Sequence, residues 1–210
     1  MTGRGPLLLA TRSAGKLREL RPMFEDAGLH VIDLVAAGIP EDPHEDQLEV
    51  HDSFEANALA KARYFHERSG LPALADDSGL EVAALGGAPG VRSKRWSGRT
   101  DLSGDALDDA NNRLLVERLV GVADRRARYV CVAALVDRDA SLLERGEVAG
   151  RIIEAPRGSD GFGYDPWFIP EEGDGRSFGE MSRAEKAQLS HRARAFGALM
   201  RRIRDGVDRD

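Results

Sequence analysis

Two adjacent aspartates, Asp76 and Asp77, are the clearest chemical feature of this 210-residue sequence. They follow the apolar run 71–75 and precede Ser78 and Gly79. Neighbouring carboxylates at the end of a predicted strand are costly near a core, because charge repulsion and desolvation both oppose them. A bound Mg²⁺ would offset both costs, since it prefers carboxylate oxygens. A polar turn is the alternative interpretation, because Asp-Ser-Gly is typical of turns.

A second candidate site is the turn 11–16, which joins a strand predicted over 6–10 to the first predicted helix. A helix N-terminus presents backbone N–H groups and the positive end of the helix dipole, so it is a natural anion site. Thr11 and Ser13 would supply hydroxyl groups and Lys16 would supply positive charge. The turn lacks the GxxxxGK[ST] pattern of a P-loop, and an ordinary strand-to-helix turn is the alternative.

A third candidate is the segment 161–166, which has the sequence Gly-Phe-Gly-Tyr-Asp-Pro. Its two glycines flank one aromatic ring and allow the backbone to approach a flat ligand closely. Phe162 can stack on a nucleobase, which contributes about 1–3 kcal/mol per base. Asp165 and backbone groups can bind the polar edges of such a ligand. A tight turn with Phe162 and Tyr164 in the core is equally compatible with this pattern.

A fourth candidate is the basic segment that contains Lys186 and the tripeptide Ser190-His191-Arg192. Arg192 offers a planar fork of donors that suits a purine keto oxygen or a phosphate. His191 can donate, accept or titrate near neutral pH. A solvated helix face is the alternative interpretation. A Ser-His-Asp hydrolase triad is a weaker alternative, because the sequence has no GxSxG nucleophile elbow.

The elements that position these residues alternate between strands and helices, which favours a mixed α/β sheet. The predicted strands are 6–10, 30–35, 71–76, 127–136 and 147–155. Helices are predicted over 17–27, from the cap Ser53, over 105–119 and near the C-terminus. The last helix begins at Ser182, which has capping-box spacing to Glu185, or begins again at Ser190. Asn57 and Lys61 are four residues apart and therefore share a helix face.

Composition narrows the functional classes. Apolar residues make up 41% of the chain, enough for a substantial core in one large domain or two closely packed lobes. The net charge of −6 argues against a general nucleic-acid or membrane-surface binder. The single cysteine, Cys131, lies in an apolar run and offers no disulfide or zinc pattern. No apolar stretch is long enough to span a membrane and no signal-peptide pattern is present, so we expect a soluble cytoplasmic protein.

Together these segments resemble the inosine triphosphate pyrophosphatases, the non-canonical purine nucleoside triphosphate pyrophosphatase family. The resemblance runs from residue 7 to about residue 200 and depends on the order and spacing of all the motifs. The motifs are Ala10-Thr11…Lys16, Phe54-Glu55-Ala56-Asn57-Ala58…Lys61-Ala62, Ala75-Asp76-Asp77-Ser78-Gly79-Leu80, Gly86-Gly87-Ala88-Pro89-Gly90-Val91, Pro156-Arg157-Gly158, Gly161-Phe162-Gly163-Tyr164-Asp165-Pro166, Glu180-Met181, Glu185-Lys186 and Ser190-His191-Arg192.

The resemblance implies both a fold and an activity. The fold would be elongated and two-lobed, with a long twisted mixed sheet flanked by helices and a nucleotide cleft between the lobes. Residues 1–210 would form a single domain, usually assembled as a homodimer. The activity would be Mg²⁺-dependent hydrolysis of ITP, dITP and XTP to the monophosphate and pyrophosphate, which cleanses the nucleotide pool. No nucleic-acid or membrane partner is expected.

The resemblance also implies a role for each matched residue. Asp77 would be the catalytic carboxylate and a Mg²⁺ ligand with Asp76 beside it, although the residues alone do not decide which of the two is the base. The turn 11–16 would hold phosphates and residues 162–165 would enclose the base. The implied substrate-binding residues are Thr11, Arg12, Ser13, Ala14, Gly15, Lys16, Asn57, Lys61, Ser78, Phe162, Gly163, Tyr164, Asp165, Lys186, His191 and Arg192.

The second acidic metal ligand of the family is harder to place in this sequence. Glu49 fits best by its distance from Phe54, and Glu41 and Glu45 are alternatives. At Ser13 the family usually has Asn, so one amide contact with the substrate would be missing or replaced.

Another departure from the family pattern is the tetrapeptide Ser93-Lys94-Arg95-Trp96, where members often have Ser-Ala-Arg-Tyr. The bulkier Trp96 would alter a lobe contact or the dimer surface.

Three other functional classes compete with this enzyme. A purine-nucleotide-binding module without catalysis is disfavoured, because a pure binder need not keep Asp76, Asp77 and Lys61. A hydrolase of other nucleotides, such as modified pyrimidines, would use a related fold and would differ in its substrate panel. An RNA-binding module is disfavoured by the net charge and by the absence of interleaved basic and aromatic residues.

Overall fold

The computed structural model describes residues 5–207, and its sheet confirms the mixed α/β class. In this part of the chain six strands lie in the order β2-β1-β3-β4-β5-β6. Strand β1 runs parallel to β2 and to β3, whereas β5 and β6 are antiparallel. The bounds are β1 Leu7–Leu9, β2 Val31–Asp33, β3 Ala73–Val82, β4 Arg126–Val136, β5 Ser141–Ile152 and β6 Phe168–Pro170.

Helices precede, follow and connect these strands. Within residues 5–207 the α-helices are α1 Ala14–Asp26, α2 Phe54–Ser69, α3 Gly104–Arg118, α4 Arg183–Leu189 and α5 His191–Val207. Short 3₁₀ helices occupy Pro43–Gln47, Ala83–Leu85, Gly90–Arg95, Asp165–Trp167 and Phe178–Glu180. None of the helices described is long and apolar enough to cross a membrane.

The described chain divides into two units. The first unit contains residues 5–77, 131–146 and 193–207, and the second contains residues 78–130 and 147–192. Along the chain, β3 leaves the first unit after Asp77 and enters the second at Ser78.

The core of the first unit combines alternate strand residues with one face of α1 and one of α5. Leu7 and Leu9 point to the same side of β1, because successive side chains of a strand alternate. They pack with Phe24 of α1 and Phe196 of α5, whose ring centroids lie 5.8 Å apart. The other buried members are Leu20, Val31, Leu74, Cys131, Ala133, Leu135, Ala195, Leu199, Met200 and Ile203. This core holds the start of α1 against the end of β1, where the turn 11–16 lies.

The core of the second unit is built around aromatic rings. The ring of Tyr129 lies 4.8 Å from that of Phe168 and 6.0 Å from that of Phe178, measured between centroids. The other buried members are Leu80, Val82, Leu115, Leu119, Ala127, Val148, Ile152, Tyr164 and Met181. Because Ile152, Tyr164 and Phe168 all belong to it, this core fixes both ends of the glycine-rich segment.

The helix starts agree with the sequence interpretation. Ser53 caps α2 with its side chain, and Ser182 forms the predicted capping box with Glu185 at the start of α4. Both alternatives for the last helix are correct in part, because α4 ends before Ser190 and α5 begins after it.

The largest difference from the sequence prediction is the length of β3. We predicted a strand that ends at the aspartate pair, with a polar turn as the alternative. Instead β3 continues to Val82, so Asp76, Asp77, Ser78 and Gly79 all lie inside it. Strand β1 pairs with this strand only at Ala73 and Leu74, and the other neighbour of β3 is β4. Pairing within the sheet outweighs the poor strand propensity of Asp and Gly.

Two other strand predictions have wrong boundaries. The strand predicted over 30–35 ends at Asp33, because its Oδ1 accepts a hydrogen bond from Ala36 N at 2.8 Å and begins a turn. The strand predicted over 147–155 begins six residues earlier and ends at Ile152, because a tight turn after β4 starts β5 immediately. The three-residue strand β6 was not predicted.

Candidate active site

In the first unit the aspartate pair is divided between the two faces of β3. Successive side chains of a strand point to opposite faces, so the two carboxylates meet different helices. Asp76 Oδ2 lies 2.9 Å from Lys16 Nζ of α1 and 3.7 Å from the Cys131 sulfur. Asp77 Oδ2 accepts a hydrogen bond of 2.8 Å from Asn57 Nδ2 of α2. The alternation explains how two adjacent buried carboxylates avoid facing each other.

The two lysines of this unit, Lys16 and Lys61, converge on the same peptide group. Lys61 Nζ donates to the backbone oxygen of Asp76 at 2.9 Å, and Lys16 Nζ donates to it at 3.3 Å. Lys61 also forms a salt bridge with Glu49. The sequence singled out both lysines and Asn57, and the structure brings all three to the aspartate pair.

The environment of Asp77 suits a proton acceptor. Burial raises the pKa of Asp77 above its usual range, and this effect outweighs the opposing positive charge of Lys16. The negative charge of Glu49 raises the pKa further, whereas Lys61 and the hydrogen bond from Asn57 lower it. A buried carboxylate with a raised pKa takes up a proton more readily than an exposed one, as a general base must.

The acidic segment 41–49 supplies one carboxylate to this site and uses another structurally. Glu49 forms a salt bridge with Lys61, which also donates to the backbone oxygen of Asp76, and its negative charge raises the pKa of Asp77. Glu45 instead forms a two-point ion pair with Arg12, at 2.7 and 3.0 Å. Glu41 is exposed on the surface. Of the three alternatives for the second metal ligand, Glu49 is the one paired with Lys61, and metal binding by Glu49 stays a prediction.

Arg12, the partner of Glu45, also has a structural role. Its guanidinium also donates to the backbone oxygens of Ile39 and Pro40, at 3.0 and 2.9 Å. It therefore holds the acidic segment near the start of α1, and its contact with a phosphate stays a prediction.

The first part of the turn predicted over 11–16 leads into α1, but the helix begins at Ala14 and not at Leu17, because Ser13 is its N-cap. Thr11 Oγ1 accepts a hydrogen bond from Ser13 N at 3.2 Å, and Ser13 Oγ accepts one from Lys16 N at 3.3 Å. Ser13 is thus the N-cap, and Ala14 and Gly15 form the first helical positions. Their backbone N–H groups face the end of the helix, where the dipole favours an anion. Phosphate binding by this turn stays a prediction.

In the second unit Asp165 organises the glycine-rich segment. Its Oδ2 accepts hydrogen bonds from Lys186 Nζ at 2.6 Å and from the backbone N–H of Phe162 at 2.8 Å. Tyr129 donates its hydroxyl to Oδ1 at 3.4 Å, and burial raises the pKa of Tyr129 so that the phenol stays neutral. We predicted that Asp165 binds a polar edge of the ligand. The observed bonds show that the carboxylate closes the turn, and its contact with a ligand stays a prediction.

Gly161 is required by this arrangement. Its φ of +82° is in the left-handed region, and a Cβ at this position would lie 2.2 Å from Asp165 Oδ2. Any side chain at 161 would therefore displace the carboxylate that holds Phe162 and Lys186.

The ring of Phe162 is flanked by two positive charges. Lys186 Nζ lies 5.1 Å from the ring centroid and the guanidinium carbon of Arg192 lies 5.6 Å from it. Arg192 Nη2 also donates to Ser78 Oγ at 2.9 Å. The ring is half-buried, whereas Arg192 and Lys186 are buried. An aromatic surface with adjacent donors is the environment that a purine base requires.

His191 is a buried ring and belongs to the aromatic cluster. It stacks on Tyr129 with centroids 4.5 Å apart and planes 5° from parallel. Because Lys186, His191 and Arg192 are all buried, the solvated-face alternative for the segment 186–192 is wrong for these three residues.

Tyr164 is buried too, and it donates its hydroxyl to the backbone oxygen of Ser93 at 2.8 Å.

Sequence reasoning missed two residues of α3 that contact this segment, Asp108 and Asn112. Both bind the backbone of Gly163. Their spacing of four residues was the only available signal, and no local pattern connects them with a residue more than 50 positions away. Tyr129 was missed for the same reason.

The fold and these two sets of side chains define an α/β protein with an acidic and basic site in one unit and an aromatic and basic site in the other. A model of the Ham1 family matches residues 7–202. The chain is 48% identical over 204 residues to a dITP/XTP pyrophosphatase of Mycobacterium tuberculosis, covering 94% of this chain and 95% of that protein. It is 46% identical to a dITP/XTP pyrophosphatase of Burkholderia pseudomallei, covering 95% of this chain and 94% of that protein.

Solved structures agree with these sequence comparisons. The Staphylococcus aureus Ham1 protein is 32% identical, with a TM-score of 0.81 over 96% of this chain and 100% of that one. A nucleoside-triphosphatase, or dITP/XTP pyrophosphatase, of Mycobacterium abscessus is 40% identical, with a TM-score of 0.70 over 93% of this chain and 98% of that one. The chain belongs to the Ham1 family.

Proposed function

We propose that this protein hydrolyses non-canonical purine nucleoside triphosphates, dITP, XTP and ITP, to the monophosphate and pyrophosphate. The single observation that carries the proposal is the buried Asp77, which is hydrogen-bonded to Asn57 and follows directly the Asp76 peptide oxygen that accepts from Lys16 and Lys61. Relatives at 46–48% identity are dITP/XTP pyrophosphatases, which supports the same substrate class. We further propose that residues 1–210 act as one catalytic domain.

The residues of the first unit fit a Mg²⁺ ion. Asp77 and Glu49 are two carboxylates close enough that each negative charge opposes the other, and a divalent cation would relieve that repulsion. The residues described contain no cluster of three or more His, Cys, Asp or Glu side chains that could hold a metal. Two carboxylates nevertheless suit Mg²⁺, which keeps several waters and binds substrate phosphates as well. When bound, Mg²⁺ supplies charge neutralisation for the triphosphate.

The proposed reaction is attack of water on the α-phosphorus. The water oxygen forms a bond to that phosphorus, the bond from the phosphorus to the bridging oxygen breaks, and pyrophosphate leaves. Asp77 accepts the proton of the water, and Asn57 orients the carboxylate by its hydrogen bond. Asp76 is the weaker choice of base, because its Oδ2 is paired with Lys16. Reaction in ¹⁸O water should label the monophosphate, and label confined to pyrophosphate would contradict this step.

The phosphate end of the substrate would bind Lys16, Lys61 and the start of α1. The base would stack on Phe162, with Arg192 and Lys186 supplying donors. We also propose a cytoplasmic homodimer: the location is in keeping with a nucleotide substrate, and the assembly is the one that the family resemblance implies. Sedimentation equilibrium tests the assembly, and a purely monomeric species at micromolar concentration would contradict it.

The decisive experiment is pyrophosphate release from ITP, XTP, dITP, GTP, ATP and modified pyrimidine triphosphates, with Mg²⁺ and with excess chelator. We expect release from ITP, XTP and dITP only with Mg²⁺, and loss of nearly all turnover in Asp77→Asn. Binding of these nucleotides without release would favour a binding module. Preference for modified pyrimidines would favour a different hydrolase. Either result would refute the proposed function.

A further inference from the structure

Two residues of α3 hold both backbone groups of Gly163. The N–H of Gly163 donates to Asp108 Oδ2 at 2.8 Å, and Asn112 Nδ2 donates to the carbonyl oxygen of Gly163 at 3.0 Å. Asp108 and Asn112 are one helical turn apart and so lie on the same face of α3. One rigid helix therefore fixes both hydrogen-bonding groups of a single residue in the glycine-rich segment.

Gly163 needs such fixation more than most residues. It has no side chain to pack, its φ is +63°, and glycine has more backbone freedom to lose than any other residue. It directly follows Phe162, whose own N–H is held by Asp165 Oδ2 at 2.8 Å. Phe162 is thus held by Asp165 on its N-terminal side and by α3 on its C-terminal side. Together these bonds determine where its ring points.

We propose that Asp108 and Asn112 are positioning residues that orient the ring of Phe162 for stacking on the purine base. This inference deepens the proposed function and rests on it for the identity of the ligand. Neither residue touches the base in this scheme. Both act through the backbone of Gly163, and their effect is on the affinity for the base rather than on the chemical step.

The burial of the two side chains supports a specific role. Asn112 is buried and Asp108 is half-buried. Burial raises the pKa of Asp108, and the charges of Asp105 and Asp165 raise it further, whereas the bond from Gly163 and the charge of Lys94 lower it. Asp108 is therefore a carboxyl group at a position where a negative charge is unfavourable. Its hydrogen bond from Gly163 is the interaction that the carboxyl group contributes there.

The variants separate the hydrogen bond from other properties of these side chains. Asp108→Ala removes the acceptor, whereas Asp108→Asn keeps an acceptor oxygen and removes the charge. Asn112→Leu keeps the approximate size of the side chain and removes the donor without adding a charge. Asp109→Ala is the matched control, because Asp109 is the exposed neighbour on the same helix.

Steady-state kinetics with ITP should divide the variants into two groups. Complete loss of base stacking costs about 5- to 150-fold in affinity, so partial misorientation of the ring should raise KM by about 10-fold. We expect this rise in Asp108→Ala and Asn112→Leu, with kcat within about 3-fold of wild type. In Asp108→Asn and Asp109→Ala, KM for ITP should stay within about 2-fold of the wild-type value. An Asp108→Asn variant as impaired as Asp108→Ala would contradict the proposal.

A double-mutant cycle distinguishes positioning from a merely structural role. If Asp108 acts through the ring, then Asp108→Ala should add almost nothing in a Phe162→Ala background. A general weakening of the fold would instead multiply the two effects. Multiplicative losses in KM would overturn the proposal, even if each single variant binds ITP weakly.

Amide hydrogen exchange in the ligand-free protein keeps this test independent of the proposed function. Asp108→Ala should speed exchange at the N–H of Gly163 while leaving the amides of β3 protected. Faster exchange in a protein that cleaves no purine triphosphate would refute the proposed function alone. Unchanged exchange at Gly163 would refute the positioning role alone.

Discussion

Arg192 is the predicted partner of the base, and because it carries only hydrogen-bond donors it would select purines that present an acceptor to it. A 6-keto purine presents an acceptor oxygen, whereas adenine presents an amino group at the same position. The guanidinium is buried and one of its nitrogens already donates to Ser78 Oγ. An adenine amino group opposite the guanidinium would leave desolvated donors facing each other. Such a conflict would discriminate strongly against adenine nucleotides and in favour of 6-keto purines.

The prediction at this residue is a change in selectivity. Arg192→Ala should lose most ITP turnover and lower the ratio of kcat/KM for ITP to that for ATP by about 10-fold or more. Phe162→Ala should weaken all purine substrates by similar factors, since every base has an aromatic face. The measurement is kcat/KM for ITP and ATP in both variants. An unchanged ratio in Arg192→Ala would assign base selection to the backbone of residues 161–165.

Asp108 gives a prediction about the pH dependence of stability. Its pKa in the folded protein is raised by burial, so between about pH 3.9 and that raised pKa the folded protein binds more protons than the unfolded one. Stability contributed by this group therefore falls as the pH rises through that interval. The side chain in Asp108→Asn does not titrate, so the stability of that variant does not fall for this reason as the pH rises.

The measurement is urea unfolding of wild type and Asp108→Asn between pH 3.5 and 7.5, with Asp109→Asn as the control. The unfolding free energy of Asp108→Asn minus that of wild type should grow as the pH rises and then become constant. The difference for Asp109→Asn should stay flat. A difference that falls with rising pH would show that the carboxylate is stabilised, not destabilised, in the folded protein.

At the scale of elements, the glycine-rich segment depends on one position without a side chain. Gly161→Ala would place a methyl group on Asp165 Oδ2, so the carboxylate must move away from Phe162 N and Lys186 Nζ. We expect KM for ITP to rise by about 10-fold or more. Gly175→Ala is the matched control, because Gly175 has a φ of +85° and nothing lies within 4 Å of its added Cβ.

The two alanine variants should suffer similar backbone strain and differ only in the displaced carboxylate. The midpoint of thermal unfolding reports the effect of backbone strain on stability, and KM for ITP reports the effect on the binding site. Equal rises in KM for the two variants would mean that Asp165 does not organise the site.

Elements also show what the sequence could predict and what it could not. Ser53 and the Ser182–Glu185 box were recognisable, because caps are set by residues within one turn of each other. The extension of β3 through Asp76 and Asp77 was not, because pairing within the sheet overrode local propensity. Local patterns carry no information about partners that arrive from elsewhere in the chain.

The same limit applies to the site. The residue types and spacing of Asn57 and Lys61 predicted a shared helix face, and the structure places both at the aspartate pair. The capture of Glu45 by Arg12, 33 positions away, was not predictable from either neighbourhood. Nor was the closure of the turn by Asp165, whose partner Lys186 is 21 positions away.

At the scale of the whole molecule, the side chains of the two units suit different parts of a nucleotide. The first unit holds Lys16 and Lys61, which suit phosphates, and the second holds Phe162 and Arg192, which suit a base. Ligands that contain only one of these parts should therefore depend on one unit only. Pyrophosphate and inosine are such ligands.

Calorimetric binding of pyrophosphate and of inosine tests this division. Lys16→Met and Lys61→Met should weaken pyrophosphate binding by about 10-fold or more each, because each removes one positive charge from a partly desolvated site. Both variants should bind inosine as wild type does. Phe162→Ala should weaken inosine binding and leave pyrophosphate binding unchanged. Arg138→Met, which removes an exposed positive charge of the first unit, should change the binding of neither ligand. Loss of pyrophosphate binding in Phe162→Ala would mean that one unit does not bind its part of the nucleotide independently of the other.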